Sequence, residues 1–176
     1  GILKDKKSLI DEGNKYTKNG YRVLACACGK DFDGLTFIGF ILIKDGVRPE
    51  IPKARADVKK AGIQTVMITG DNKLTAESIA REIKLVETEE DLIITSEELS
   101  KMNDIEVKNI LPKLRVVARS LPEDKKRLVL LSQELGLVTG MTGDGVNDAP
   151  ALKRADVGFA MGSGTDIAKE TSSLII

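Results

Sequence analysis

Residues 141–153 read Met-Thr-Gly-Asp-Gly-Val-Asn-Asp-Ala-Pro-Ala-Leu-Lys, with Asp144 and Asp148 set around a glycine turn just after the apolar pair Leu137 and Val138. An apolar run that enters a glycine and acid turn and leaves through Ala-Pro-Ala-Leu predicts a strand over Leu137 to Met141, a polar loop, and a helix after Asn147. Upstream, Pro122 opens and Gly136 closes a helix of about 122 to 135, which follows a strand over Arg115 to Ala118. Downstream come a strand over Val157 to Ala160, a helix around Thr165 to Lys169 and a terminal strand over Ser173 to Ile176.

The same alternation extends toward the N-terminus. Ala54, Val58 and Ala61, closed by Gly62, predict a helix, and Ile63 to Ile68 predicts a buried strand ending in Thr69-Gly70-Asp71. A helix follows over about 73 to 84. Before these, a polar helix over Asp5 to Asn19 ends at Gly20, and two β-rich runs cover Tyr21 to Cys28 and Leu35 to Ile43. Residues 87–112 are charged and poor in aromatics, which predicts a solvated peripheral insert with a short strand near Leu92 to Ile94. Strands and helices alternating in this way specify an α/β fold: a mostly parallel sheet with helices on both faces. In such a sheet the polar loops at the carboxyl ends of the strands form the site.

Composition narrows the chemistry. At 176 residues the chain suffices for one packed domain with a small appendage. Lys plus Arg and Asp plus Glu stand at 27 each, so no overall field holds polyanions, and nucleic acid is not an expected partner. Histidine is absent, which removes imidazole bases and most zinc sites. Cys26 and Cys28, two apart on one strand face, read as reduced core residues of a cytosolic protein. The longest apolar stretch, Phe37 to Ile43, is seven residues, far below the roughly 20 that span a bilayer. The first seven residues do not read as a signal peptide, so the piece is expected to be soluble.

Three strand ends carry polar clusters: Thr69-Gly70-Asp71, the 141–145 turn, and Lys125 on the helix after strand Arg115 to Ala118. Each alone also fits a capped turn or a solvated helix face. Together they supply a hydroxyl, free amides, a cation and acids, the set that phosphoryl transfer needs without histidine. Asp144 and Asp148 could serve Mg²⁺, directly or through water.

Thr69-Gly70-Asp71-Asn72, Ala118-Arg119 with Pro122 and Lys125, the string Thr142 to Leu152, and Ala155-Asp156-Val157-Gly158 resemble the phosphorylation domain of P-type cation-transporting ATPases, members of the haloacid dehalogenase superfamily. The resemblance runs from about Gly20 to the end, and its details look most like the calcium-pump type. Lys44 to Glu50 is partly in heavy-metal style, with Gly46 where the calcium type has proline. The resemblance implies a Rossmann-like haloacid dehalogenase fold, with residues 1–36 a remnant of the nucleotide-binding domain and 37–176 the C-terminal part of the phosphorylation domain. It implies Mg²⁺ and ATP as cofactors. Thr69, Gly70 and Asp71 would line the phosphoryl site and Lys125 would neutralise its charge. Asp144 would bind Mg²⁺ with Asp148 beside it, and Asp45, Arg48, Arg119 and Asn147 would serve the nucleotide side.

The family's phosphate-accepting aspartate lies in an Asp-Lys-Thr-Gly-Thr string on the central strand, and this sequence has no such string. The resemblance therefore implies a pump part that does not turn over ATP alone, with a sheet lacking its nucleophile-bearing strand. Its partners would be the rest of the phosphorylation domain, the nucleotide-binding and actuator domains, and transmembrane helices, at the cytoplasmic face of a membrane. Unpaired inner edges would invite self-association. Two rival readings stand beside it. One is a soluble phosphatase of the same superfamily using Asp31 as nucleophile and Asp33 as acid, although a strand directly after Gly34 leaves no room for the expected flap and helix. The other is a noncatalytic Mg²⁺ and phosphate-binding module.

Overall fold

The computed structural model describes residues 6–31, 34–44 and 46–176, which fall into two compact units. The first comprises residues up to Thr65 together with Asp71–Glu89, and the second comprises Val66–Gly70 with Glu90–Ile176. Residue 36 opens a strand that pairs with the strand before it, and both strands lie in the first unit.

In the first unit, α1 (Lys6–Lys18) ends at Gly20, whose φ of 80° closes the turn. The strands β1 (Arg22–Cys28) and β2 (Thr36–Ile43) form an antiparallel hairpin with an irregularity between Cys26 and Ala27. Phe40 joins helix to hairpin: its ring meets Tyr16 edge-on at 6.1 Å and Phe37 at 4.9 Å. Gly13 leaves room for it, since a Cβ there would already touch the Phe40 ring at 3.6 Å. Helices α2 (Ile51–Lys60) and α3 (Lys73–Glu82) complete the unit. Asn72 caps α3, its side chain accepting from the Thr75 N–H at 3.0 Å. The cysteines are free thiols but not core residues: Cys26 is half-buried and Cys28 exposed on a two-stranded hairpin.

The second unit holds two parallel three-stranded sheets. In one, β3 (Met67–Ile68) and β4 (Leu92–Thr95) flank β5 (Leu114–Ala118). In the other, β7 (Val157–Ala160) lies between β6 (Gly140–Gly143) and β8 (Leu174–Ile175). Helices α4 (Ser96–Ser100), α5 (Asp104–Ile110) and α6 (Pro122–Glu134) belong to the first sheet's side of the chain, and α7 (Ala149–Arg154) and α8 (Asp166–Thr171) to the second's. The α/β architecture of parallel sheets and helices matches the expectation from sequence.

Each sheet has its own core. Ile94, Leu99, Val107, Leu111, Leu114, Val117, Leu128 and Leu131 form the first; Met141, Ala151, Leu152, Ala160 and Ala168 form the second. Half of the first core comes from residues 87–112, so this segment is not the solvated insert expected from its charge. Charged residues there cap helices instead: Thr95 with Glu98, and Asn103 with Glu106, each make a reciprocal capping box around short helices that bury Leu99 and Val107.

Strands β3 and β6 are shorter than the apolar runs that predicted them. Pairing begins only at Met67 in β3 and at Gly140 in β6, and Leu137 and Val138 are exposed, Val138 by 85%. Among the described residues β3 pairs only with β5 and β6 only with β7. β3 and β6 are thus edge strands, each hydrogen-bonded to a neighbour on one side only among the described residues.

Candidate functional site

Within the second unit the carboxyl ends of β3, β5 and β6 carry the polar loops. Thr69 extends β3 along β5, donating its N–H to the Val117 carbonyl and accepting at its own carbonyl from the Ser120 N–H, both at 2.9 Å. Gly70 follows, exposed. After β5 the chain turns at Arg119, whose φ of 52° is unusual for a residue with a side chain and marks a tight, fixed corner. Leu121 then starts α6, its N–H donating to Asp124 Oδ2 at 2.8 Å, and the first turn of α6 delivers Lys125.

Lys125 reaches across to the loop after β6. Its Nζ donates to Asp148 Oδ1 at 2.5 Å, with both side chains largely buried. Asp148 Oδ2 accepts from the N–H groups of Asp144 and Gly145, each at 3.2 Å. Burial pushes the Asp148 carboxyl up, but the Lys125 ammonium and the Gly145 and Asp144 amides outweigh it and hold the group below its ordinary value. Gly143 is required by this packing: a Cβ there would stand 2.4 Å from the Cβ of Asp148.

Asp144 is the complement of Asp148. Its peptide is bound, yet its side chain is exposed and accepts no hydrogen bond or ion pair from the described residues. Asn147 is exposed beside it on a short 3-10 turn, Val146–Asp148. Of the two acids assigned to a metal, Asp144 alone offers free oxygens; direct ligation by Asp148 would require it to release Lys125 or two amides. Among the described residues no cluster of three or more acid, cysteine or histidine side chains could cage a metal. That donor set suits Mg²⁺, which takes one or two carboxylates and keeps water or phosphate oxygens for the rest, and does not suit an all-protein cage.

The remaining expected residues fall in the first unit or outside the described residues. Asp71 and Arg48 belong to the first unit, Asp71 just before the cap of α3 and Arg48 accepting at its carbonyl from the Ile51 N–H at the start of α2. Asp45 and Asp33 fall outside the described residues. Asp31 sits in the connection between two antiparallel strands, not at the carboxyl end of a parallel one where a phosphatase nucleophile of this fold belongs.

Two features take roles that the sequence alone does not assign to them. Asp156 accepts from the Thr139 N–H at 2.7 Å and the Thr139 hydroxyl at 2.8 Å, and these bonds, with one from Gln133, lower its carboxyl to about 2. It ties the entries of β6 and β7 together, at the end opposite the loops. The second is the loop after β7, where the Thr165 N–H donates to the Asp144 carbonyl at 2.8 Å. The small residues Gly162, Ser163 and Gly164 were its signal, but nothing in their order says which peptide they approach.

Comparison with known proteins places these loops in context. The sequence pattern of the haloacid dehalogenase-like hydrolases matches residues 4–156. The chain is 49% identical over 146 residues to calcium-transporting ATPase 1 of Lactococcus lactis, covering 83% of this chain and 16% of that protein. It is 46% identical over 180 residues to calcium-transporting ATPase 4, plasma membrane-type, of Arabidopsis thaliana, covering 96% of this chain and 17% of the relative. With calcium-transporting ATPase 7, plasma membrane-type, of Oryza sativa it shares 46% over 151 residues, 83% of this chain and 15% of the relative. The chain thus spans less than a fifth of the length of these curated relatives. Among the described residues no helix is long and apolar enough to cross a membrane.

Proposed function

The chain belongs to the haloacid dehalogenase-like hydrolases, and from that premise we propose that it is the Mg²⁺- and phosphoryl-binding part of an ATP-driven cation pump of the calcium-transporting type. The observation that carries the reading is the Lys125–Asp148 ion pair. It brings a cation from the first turn of α6 onto the loop after β6 and leaves the Asp144 carboxylate open beside it.

Asp144 holds Mg²⁺, which when bound offsets charge on the phosphoryl oxygens. Lys125, oriented in advance by Asp148, neutralises the remaining phosphoryl charge, and preorganised charge of this kind is the main catalytic contribution in phosphoryl transfer. Thr69 hydrogen-bonds the phosphoryl oxygens, with Gly70 lining the same site. Arg119 and Asn147 serve the nucleotide side, as do Arg48 and Asp45. The aspartate that accepts the phosphoryl group belongs to a strand outside this sequence, and the chain alone turns over no ATP. The partners are the remainder of the phosphorylation domain, the nucleotide-binding and actuator domains, and membrane helices that carry the ion, with this part at the cytoplasmic face.

The reading is tested by incubating the chain with radiolabelled ATP and Mg²⁺. The expected result is no acid-stable, hydroxylamine-sensitive label, together with Mg²⁺ binding that is lost in Asp144→Asn. Label that appears and vanishes in Asp31→Asn would replace the pump reading with the soluble phosphatase.

A further inference from the structure

Asp144 is clamped at both of its peptide groups while its carboxylate stays free. Its N–H donates to Asp148 Oδ2 at 3.2 Å, and its carbonyl accepts from the Thr165 N–H at 2.8 Å. The second contact comes from the loop after β7. There the Gly164 N–H donates to the Met161 carbonyl at 2.8 Å, closing a turn that lies directly on Asp144. A Cβ at Gly164 would stand 2.9 Å from the Asp144 carbonyl oxygen, 2.9 Å from that of Met161 and 3.0 Å from the Asp144 Cα. All three are backbone atoms, so no side-chain rotation relieves the clash.

The loop is itself anchored. Thr165 caps α8, its hydroxyl accepting from the Ala168 N–H, and Ala168 is fully buried in the core under β6 and β7. We infer that the turn Met161–Thr165 is a positioning element for Asp144, with Gly164 and Thr165 the positioning residues that transmit the rigidity of this core to the metal-binding carboxylate. This inference rests on Asp144 being the Mg²⁺ ligand. Groups that orient a ligand are worth about 10- to 100-fold in metal affinity, and here the orienting bond is made to the main chain of the ligand.

The test is Mn²⁺ binding to the full chain, followed by electron paramagnetic resonance with Mg²⁺ as competitor, and thermal unfolding without metal to verify the fold. Gly164→Ala should weaken Mn²⁺ binding by about tenfold. Its φ lies outside the left-handed region, so the effect is that of the added methyl alone. Gly162→Ala is the control from the same turn: its Cβ would meet only the Ile176 carbonyl, at 3.4 Å, and affinity should hold. A second pair keeps the test open should Gly164→Ala fail to fold. Thr165 has a φ of −67°, which proline adopts, so Thr165→Pro removes the N–H bond to Asp144, whereas Thr165→Ala removes only the cap of α8. Loss of affinity in Thr165→Pro but not in Thr165→Ala supports the inference. Wild-type affinity in both Gly164→Ala and Thr165→Pro overturns it while leaving Asp144 as ligand. A wild-type chain that binds no Mn²⁺ overturns the inference together with the reading of Asp144.

Discussion

Lys125 Nζ and Asp148 Oδ1 lie 2.5 Å apart, joining the helix after β5 to the turn after β6. The pair is 23 residues apart in sequence and connects two sheets that share no strand. Asp148 also binds two amides of its own turn, so it has more to lose than its partner. Asp148→Ala should destabilise the chain by about 2 to 3 kcal/mol, and Lys125→Met by less, because loss of Asp148 removes two amide bonds in addition to the ion pair. Urea unfolding of the two variants measures the difference. Equal losses would show that the amide bonds contribute nothing.

Asp148 and Asp156 both have folded-state carboxyls held below their ordinary values. A lowered folded value means that the contribution to stability is complete above the unfolded value and is lost as pH falls through the folded one. For Asp156 that window runs from 3.8 down to about 2. Asp156→Asn should therefore flatten the fall of stability with pH across this window, and Thr139→Ala should do so in part. Unfolding midpoints measured from pH 5 to pH 2 check it, and parallel curves for wild type and Asp156→Asn would contradict it.

Leu99 is fully buried in the first core although it comes from the charged segment 87–112. Leu99→Ala should cost about 2 to 5 kcal/mol, the range for a leucine truncated in a core that collapses only partly. If the segment were a peripheral insert, the cost would fall within about 0.5 kcal/mol. Chemical denaturation separates these outcomes.

Among the described residues β3 and β6 are each paired on one side only, which leads to an expected concentration dependence. Strands paired on one side only tend to recruit a second copy, and a lysine near such an edge opposes this. Val138, which leads into β6, is exposed enough to be replaced without touching the core. Val138→Lys should reduce self-association measured by sedimentation velocity at rising concentration. A wild-type chain that stays monomeric throughout would remove the basis for the expectation.

Much of the fold is legible from local pattern because helix ends and strand ends are local chemistry. Gly20, the Asn72 cap and Pro122 each stop or start a helix within a residue or two of where the sequence places it. β7 runs over the expected residues, Val157–Ala160. The segment 87–112 was misread because charge density says how much of a helix meets water, and not whether its few apolar residues meet a core. Cys26 and Cys28 differ from the reading for a related reason: an apolar run shows a strand's propensity but not its burial, and in this two-stranded hairpin Cys26 is half-buried and Cys28 exposed.

The sequence by itself determined the α/β alternation, the loops that gather at the strand ends, and a residue set of hydroxyl, amide, lysine and aspartate suited to a phosphoryl group. It did so because periodicity, caps and donor chemistry are properties of neighbours in the chain. Tertiary structure decided which of the two aspartates is free. Asp144 and Asp148 have the same chemistry and nearly the same surroundings in sequence. Only packing lets Lys125 and two amides occupy Asp148, and only the turn after β7 fixes the peptide of Asp144 while leaving its carboxylate open.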